Sequence, residues 1–172
     1  QISGLEPLVM RYQQKALRTA FLILQDEQRA EDVVQEVFLR LYQRIHSYDE
    51  NRPLEPYLMR SVVNSALNAA QKNHNHVPIE SIECMGTLEQ LLLQDSSVES
   101  QAEFDQRKEV IWNALQKLAP RQRAVIIQRY YLEMSETEMA VELDAPKGTI
   151  KWLLNAARNR LYSLLHGERS AE

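Results

Sequence analysis

Apolar side chains recur at helical spacing along most of the chain. Between residues 5 and 24, Leu5, Leu8, Val9, Tyr12, Ala16, Ala20 and Leu24 fall along one side, which predicts an amphipathic helix. Gln25-Asp26-Glu27 breaks it. A second helix is expected over about residues 30–45, with Val33, Val34, Val37, Phe38, Leu41 and Tyr42 as its core face. Residues 47–56 carry two prolines and read as a loop. A third helix follows over about residues 55–73, burying Leu58, Val62, Val63, Ala66, Leu67 and Ala70, and Asn73-His74-Asn75-His76 ends it. From Val77 to about Ser100 no helical period persists, although Leu88 to Leu93 is compatible with a short helix. Ile79, Ile82, Met85 and the leucines make this tether too apolar to stay freely solvated, so it should dock on its own domains or on a partner. Another helix spans about residues 102–118, with Phe104, Val110, Ile111, Ala114, Leu115 and Leu118 inside.

The pattern then tightens into three short helices over residues 118–165. Pro120 suits the first position of a helix, where its missing N–H costs nothing, and Val125, Ile126, Ile127 and Tyr130 form an apolar side. Ser135 followed by Glu138 is a capping-box pattern that starts the next helix. Met139, Ala140 and Leu143 are its apolar stripe, and Asp144-Ala145-Pro146 breaks it. Pro146 opens the last helix, in which Ile150, Leu153, Leu154, Ala157 and Leu161 repeat at 3.6-residue spacing. Lys147, Lys151, Asn155 and Arg158 share one face. Two short helices, a tight turn and a basic second helix describe a helix-turn-helix. A plain helical hairpin with a solvated charged face is the simpler alternative; caps, turn and face all favour the DNA reader.

Four glycines and six prolines among 172 residues, with 44% hydrophobic residues, agree with an all-α protein that has ample core. No run approaches a transmembrane length. Arg11, Lys15 and Arg18 interrupt the N-terminal apolar residues, against a secretory signal. A lone cysteine, Cys84, excludes an internal disulfide and suits a reducing cytoplasm. The net charge of −4 is unusual for a protein that grips DNA unaided, and its distribution changes the picture. Residues 1–76 carry nine Lys and Arg against nine Asp and Glu. Residues 77–106 carry seven acids and no Lys or Arg. Residues 107–172 carry eleven bases against eight acids. The C-terminal unit is therefore only mildly basic and should bind DNA weakly alone, because phosphate contacts dominate affinity; a larger partner must supply the rest. The expected organisation is two small helical domains, residues 1–76 and 102–168, joined by an acidic, partly apolar linker over 77–101.

Candidate chemistry is sparse. Asp32, Gln35 and Glu36 stand at i, i+3 and i+4 and form one polar patch, which by itself is an ordinary solvated helix face. His74, His76 and Cys84 do not complete a tetrahedral metal set. Neither a glycine-rich phosphate loop nor a nucleophile–base pair is present, so no catalysis and no cofactor are expected.

Three blocks in this order and spacing resemble the extracytoplasmic-function (ECF) group of bacterial sigma-70-type RNA polymerase sigma factors. AEDVVQEVFLRLY, residues 30–42, is similar to the region 2 helix that docks on core polymerase. PLEPYLMRSVVNSALN, residues 53–68, is similar to the segment that melts and reads the −10 element. LAPRQRAVIIQRYYLEMSETEMAVELDAPKGTIKWLLNAAR, residues 118–158, is similar to region 4, the −35 reader. The resemblance implies roles. Asp32, Gln35 and Glu36 match positions that meet the clamp helices of the largest polymerase subunit, where acid and amide suit arginine partners. Tyr48 and Asn64 match a pocket for a base flipped out of the −10 element, an aromatic face with an amide to read the base edge, and residues 47–56 match the specificity loop. Asn68 and Lys72 continue the −10 surface. Lys147, Thr149 and Lys151 open the recognition helix, Asn155 and Arg158 lie further along it, and Lys151 and Arg158 match basic positions of the family; Arg121, Arg123 and Arg129 are candidates, from their charge, to grip the flanking phosphates. An anti-sigma factor, often membrane-linked in this family, is implied as a regulator.

The chain departs from the family pattern in three places. Basic residues after the third helix are reduced to Lys72, the frequent tryptophan at that helix's start is Tyr57, and the usual Ser-Arg-Leu-x-Arg-Ala-Arg reads Trp152-Leu153-Leu154-Asn155-Ala156-Ala157-Arg158. Trp152 is open to three roles, a DNA contact, a packing residue or an anti-sigma contact, with packing the default. The alternative function is a stand-alone helix-turn-helix regulator with an N-terminal interaction domain. It accounts for the third block but leaves the Asp32-Gln35-Glu36 patch, Tyr48 and Asn64 unexplained.

Overall fold

The computed structural model describes residues 6–49, 51–72 and 101–167. Every regular element among them is helical. The chain divides into two compact units, Gln1–Val77 and Pro78–Glu172. The apolar tether, its possible helix at Leu88 to Leu93, and His74, His76 and Cys84 lie outside the described residues.

The first unit is a bundle of α1 (Glu6–Leu24), α2 (Glu27–Arg44) and α3 (Leu54–Lys72), each packed on the other two, with a 3-10 turn at Ile45–Ser47. The expected apolar side of α3 is buried throughout, with Met59 added to it. α1 differs from its pattern. Leu8, Val9 and Tyr12 are only half-buried, while Thr19, Leu22 and Ile23 are sealed. Thr19 tolerates burial because its hydroxyl donates to the Lys15 carbonyl at 2.8 Å. α2 begins three residues earlier than its apolar period indicates. Asp26, read as part of a breaker, is its N-cap and accepts from the Arg29 N–H at 3.1 Å. Gln25 makes the sharp turn between α1 and α2 with φ 55°. An ion pair from Lys15 to Glu55 and a hydrogen bond from the Arg29 guanidinium to the Ala69 carbonyl tie α3 to α1 and α2.

The second unit comprises α4 (Gln101–Gln116), α5 (Pro120–Tyr130), α6 (Glu136–Glu142) and α7 (Lys147–Gly167). α7 packs on all three others, and α5 packs on α6. Ile111, Leu115, Ile126, Ile127, Met139, Ile150 and Leu154 are fully buried, and so is Trp112, which the periodic reading passed over. Pro120 sits at the first position of α5. Ser135 and Glu138 form the anticipated capping box, with Ser135 N–H to Glu138 Oε2 at 2.7 Å and Glu138 N–H to Ser135 Oγ at 3.2 Å. The α6–α7 turn is a Schellman motif: the Ala145 N–H reaches the Ala140 carbonyl at 3.0 Å and the Asp144 N–H reaches Val141 at 3.4 Å. Asp144 takes the left-handed position, φ 48°, where an Asx side chain is tolerated better than most.

Candidate nucleic-acid interface

Burial of Val33, Val34, Val37 and Leu41 on one side of α2 turns Asp32, Gln35 and Glu36 outward, and all three are exposed. Gln28 Nε2 lies 3.4 Å from Asp32 Oδ1, and Arg40 lies 3.7 Å from Glu36. Arg40 also donates to Ser65 Oγ at 2.6 Å, which braces this face against α3. Tyr42, assigned to the core from its spacing, is 46% exposed, and Leu39 is 62% exposed. Both lie beyond Asp32, Gln35 and Glu36 on the outer side, so the face is acidic at its N-terminal end and apolar one to two turns later.

The loop after α2 is organised by its own hydrogen bonds. Asp49 Oδ1 accepts from the Asn51 N–H and from Asn51 Nδ2, each at 3.1 Å, and Asp49 pairs with Arg52 at 3.5 Å. The Tyr48 hydroxyl points at the Arg52 and Pro53 carbonyls, each 3.1 Å away. Desolvation is the main reason that its pKa is raised, with Asp49 and Tyr57 adding to the rise and Arg52 opposing it. The Tyr48 ring lies 5.3 Å from that of Tyr57, tilted by 55°. Tyr57, Ser61, Asn64 and Asn68 follow at steps of four, three and four, one ridge of α3. Tyr48 is thus fixed at the beginning of this ridge, and Asn64 stands about 10 Å further along it. Asn64 is half-buried and Asn68 exposed, while Lys72 is the last residue of α3.

On the helix-turn-helix, Lys147, Thr149, Lys151 and Asn155 are exposed on the outer side of α7, and Arg121 is exposed at the start of α5. No Asp or Glu occurs between Lys147 and Gly167. Two arginines depart from expectation. Arg123 is 8% exposed and donates from Nη2 to the Leu118 carbonyl at 3.1 Å; desolvation lowers its pKa to about 10. It is a brace for the α4–α5 corner and is withdrawn from phosphate. Its position shows why: it stands three and four residues before Ile126 and Ile127, on the buried side of α5. Arg158 is half-buried, and its Nε donates to the Tyr130 hydroxyl at 2.7 Å. It holds α7 to α5 instead of standing free beside Lys151. Arg129 is exposed but donates to the Met134 carbonyl at 2.8 Å. Trp152, given a packing role by default, is 67% exposed; the core-facing positions beside it are taken by Ile150 and Leu154.

Among the described residues no group of His, Cys, Asp or Glu could hold a metal ion, and no helix is long and apolar enough to cross a membrane.

Comparison with known proteins matches residues 8–75 to sigma-70 region 2 and residues 108–161 to sigma-70 region 4. The chain is 31% identical over 141 residues to the ECF RNA polymerase sigma factor SigL of Mycobacterium tuberculosis, covering 81% of this chain and 76% of that protein. It is 28% identical over 160 residues to SigM of Bacillus subtilis, covering 93% and 94%. In fold it is similar to the sigma factor RpoE of Bartonella quintana, solved in complex with the anti-sigma factor NepR: TM-score 0.68 at 21% identity, over 95% of this chain and 97% of that one. It is also similar to CnrH, solved with the cytosolic domain of CnrY, with a TM-score of 0.67 at 19% identity.

Proposed function

The chain belongs to the ECF group of sigma-70-family RNA polymerase sigma factors, which direct core polymerase to promoters, and from that premise we propose how its two units divide the work. The α1–α3 unit docks on core polymerase through Asp32, Gln35 and Glu36 and captures the −10 element with Tyr48, Asn64, Asn68 and Lys72. The α4–α7 unit holds the −35 element with Arg121, Lys147, Thr149, Lys151 and Asn155, while Arg123 and Arg158 keep those groups in place from inside the fold. The chain catalyses nothing itself. Binding of the captured single strand offsets the few kcal/mol, roughly, that unstacking a base costs. It works in the cytoplasm, and an anti-sigma factor withholds it from polymerase, in keeping with the partners of its structural neighbours.

The observation that carries this reading is the outward acidic and amide face of α2. On a regulator that binds DNA unaided the patch is only a solvated helix face, whereas arginines on a polymerase surface would pair with it. The test is in vitro transcription with purified bacterial core polymerase and a promoter library. Selective initiation that depends on the added chain is the expected result. Tight binding to duplex promoter DNA without polymerase, and no initiation with it, would replace this reading with a stand-alone regulator.

A further inference from the structure

Trp152 is exposed although its unit is able to bury an indole, as Trp112 shows. It lies four residues after Gly148 and three before Asn155, both exposed. Helical side chains lean toward the preceding turn, yet a Cβ built on Gly148 would meet nothing within 4 Å. The indole therefore does not cover Gly148, and the surface one turn before it is open to close approach.

The surroundings indicate what meets it. Lys147 and Lys151 are exposed beside it, and α7 has no carboxylate. No arginine occurs in residues 147–157, so the cations of this stretch are Lys147 and Lys151 alone. An exposed indole with lysines on the adjoining face complements the major groove of duplex DNA, with phosphates on its walls and the thymine C5-methyl among its base edges. A purely apolar protein pocket would make no use of the flanking lysines.

We infer that Trp152 is a specificity-determining residue of the upstream promoter element, its indole lying against a thymine C5-methyl in the major groove while Lys147 and Lys151 hold nearby phosphates. This rests on the reading of the α4–α7 unit as the upstream DNA reader.

The test uses the full chain with core polymerase on a library randomised across the upstream element, comparing wild type with Trp152→Ala. Each thymine of the preferred element is then replaced singly by deoxyuridine, which lacks the methyl. Wild type should lose about fourfold in initiation at one such position, the worth of one buried methyl. Trp152→Ala should be indifferent there and lose its preference at that base alone, with an unchanged melting temperature. Trp152→Leu, still apolar, should keep part of the preference. A preferred element without thymine, a wild type indifferent to every deoxyuridine, or a Trp152→Ala protein with unaltered preference would each overturn the inference. The last result, combined with weakened anti-sigma binding, would assign the indole to a protein contact. Initiation without any upstream preference would remove the upstream role of the unit, and no initiation from any template would remove the sigma-factor reading itself.

Discussion

Arg158 reaches across from α7 to donate a hydrogen bond to the Tyr130 hydroxyl of α5 at 2.7 Å, with its guanidinium carbon 5.5 Å from the centre of the same ring. The pair fixes the long helix of the DNA-reading unit against the helix that precedes the turn. Tyr130→Phe removes the acceptor and keeps the ring, and should lower the stability of this unit by about 0.5–1.5 kcal/mol. Arg158→Ala should cost more because the ring contact is lost as well, and the double variant should cost less than the two single losses together. Urea unfolding followed by tryptophan fluorescence isolates the effect, since both tryptophans of the chain lie in this unit. Additive losses would mean that the two side chains act separately.

Arg123→Ala separates a structural arginine from a DNA-binding one. It deletes a donor to the Leu118 carbonyl inside the α4–α5 corner and should lower stability by about 1–3 kcal/mol. The pattern of preferred promoters should stay the same wherever the protein is folded. A selective change at upstream positions would return Arg123 to the interface.

Charge reversal on α2, Asp32→Arg with Glu36→Arg, should weaken binding to core polymerase by about tenfold or more. Both side chains are exposed, so the circular dichroism spectrum and melting temperature should be nearly those of wild type. Unchanged affinity in a titration with labelled core enzyme would refute the docking role.

Asn64→Ala should flatten selection at one −10 base by roughly fivefold or more, the usual worth of a base contact, and leave the remaining positions unaltered. Selection from a library randomised over the −10 element reads this directly. A uniform loss over all positions would indicate damage to α3 instead of loss of a base contact.

The α6 cap predicts a dependence on acid. Hydrogen bonds from the Ser135 backbone N–H and hydroxyl hold the Glu138 carboxyl below its ordinary value of 4.5. A carboxyl depressed in the folded state stabilises above its unfolded pKa, and that contribution fades as pH falls through the folded value. Ser135→Ala should therefore lower the melting temperature of the unit near pH 7, and the gap from wild type should narrow as pH falls below the ordinary carboxyl value of 4.5. A gap independent of pH would mean that the hydroxyl acts without the carboxylate.

Strong periodicity made much of the fold legible. The apolar side of α3, the capping box at Ser135 and Pro120 at the start of α5 follow from spacing and cap chemistry alone. The misreadings occur where one residue type serves two ends. Asp26 ends nothing; it starts α2, because a carboxylate between two helices caps whichever one lies after it. Tyr42 satisfies the apolar period of α2 yet stands outside, one residue past Leu41, the last buried residue of that helix. Arg123 and Trp152 exchange their expected places. The arginine sits on the core side and finds a carbonyl there, while the tryptophan sits on the outer side, largely exposed. Charge and size are properties of a residue, but the side of the helix on which it falls decides between interior and interface.

With Arg123 and Arg158 turned inward and Arg129 engaged by the Met134 carbonyl, the arginines and lysines assigned to upstream DNA reduce to Arg121, Lys147 and Lys151. Each phosphate neutralised releases close to one counterion from B-DNA. Three such contacts give a slope of about −3 in log affinity against log salt, far shallower than that of a repressor that holds its operator alone. Promoter choice by this domain should therefore survive swings in ionic strength that would dislodge a strongly basic regulator. The salt sensitivity of the assembled complex would then be set elsewhere, by the polymerase that carries it.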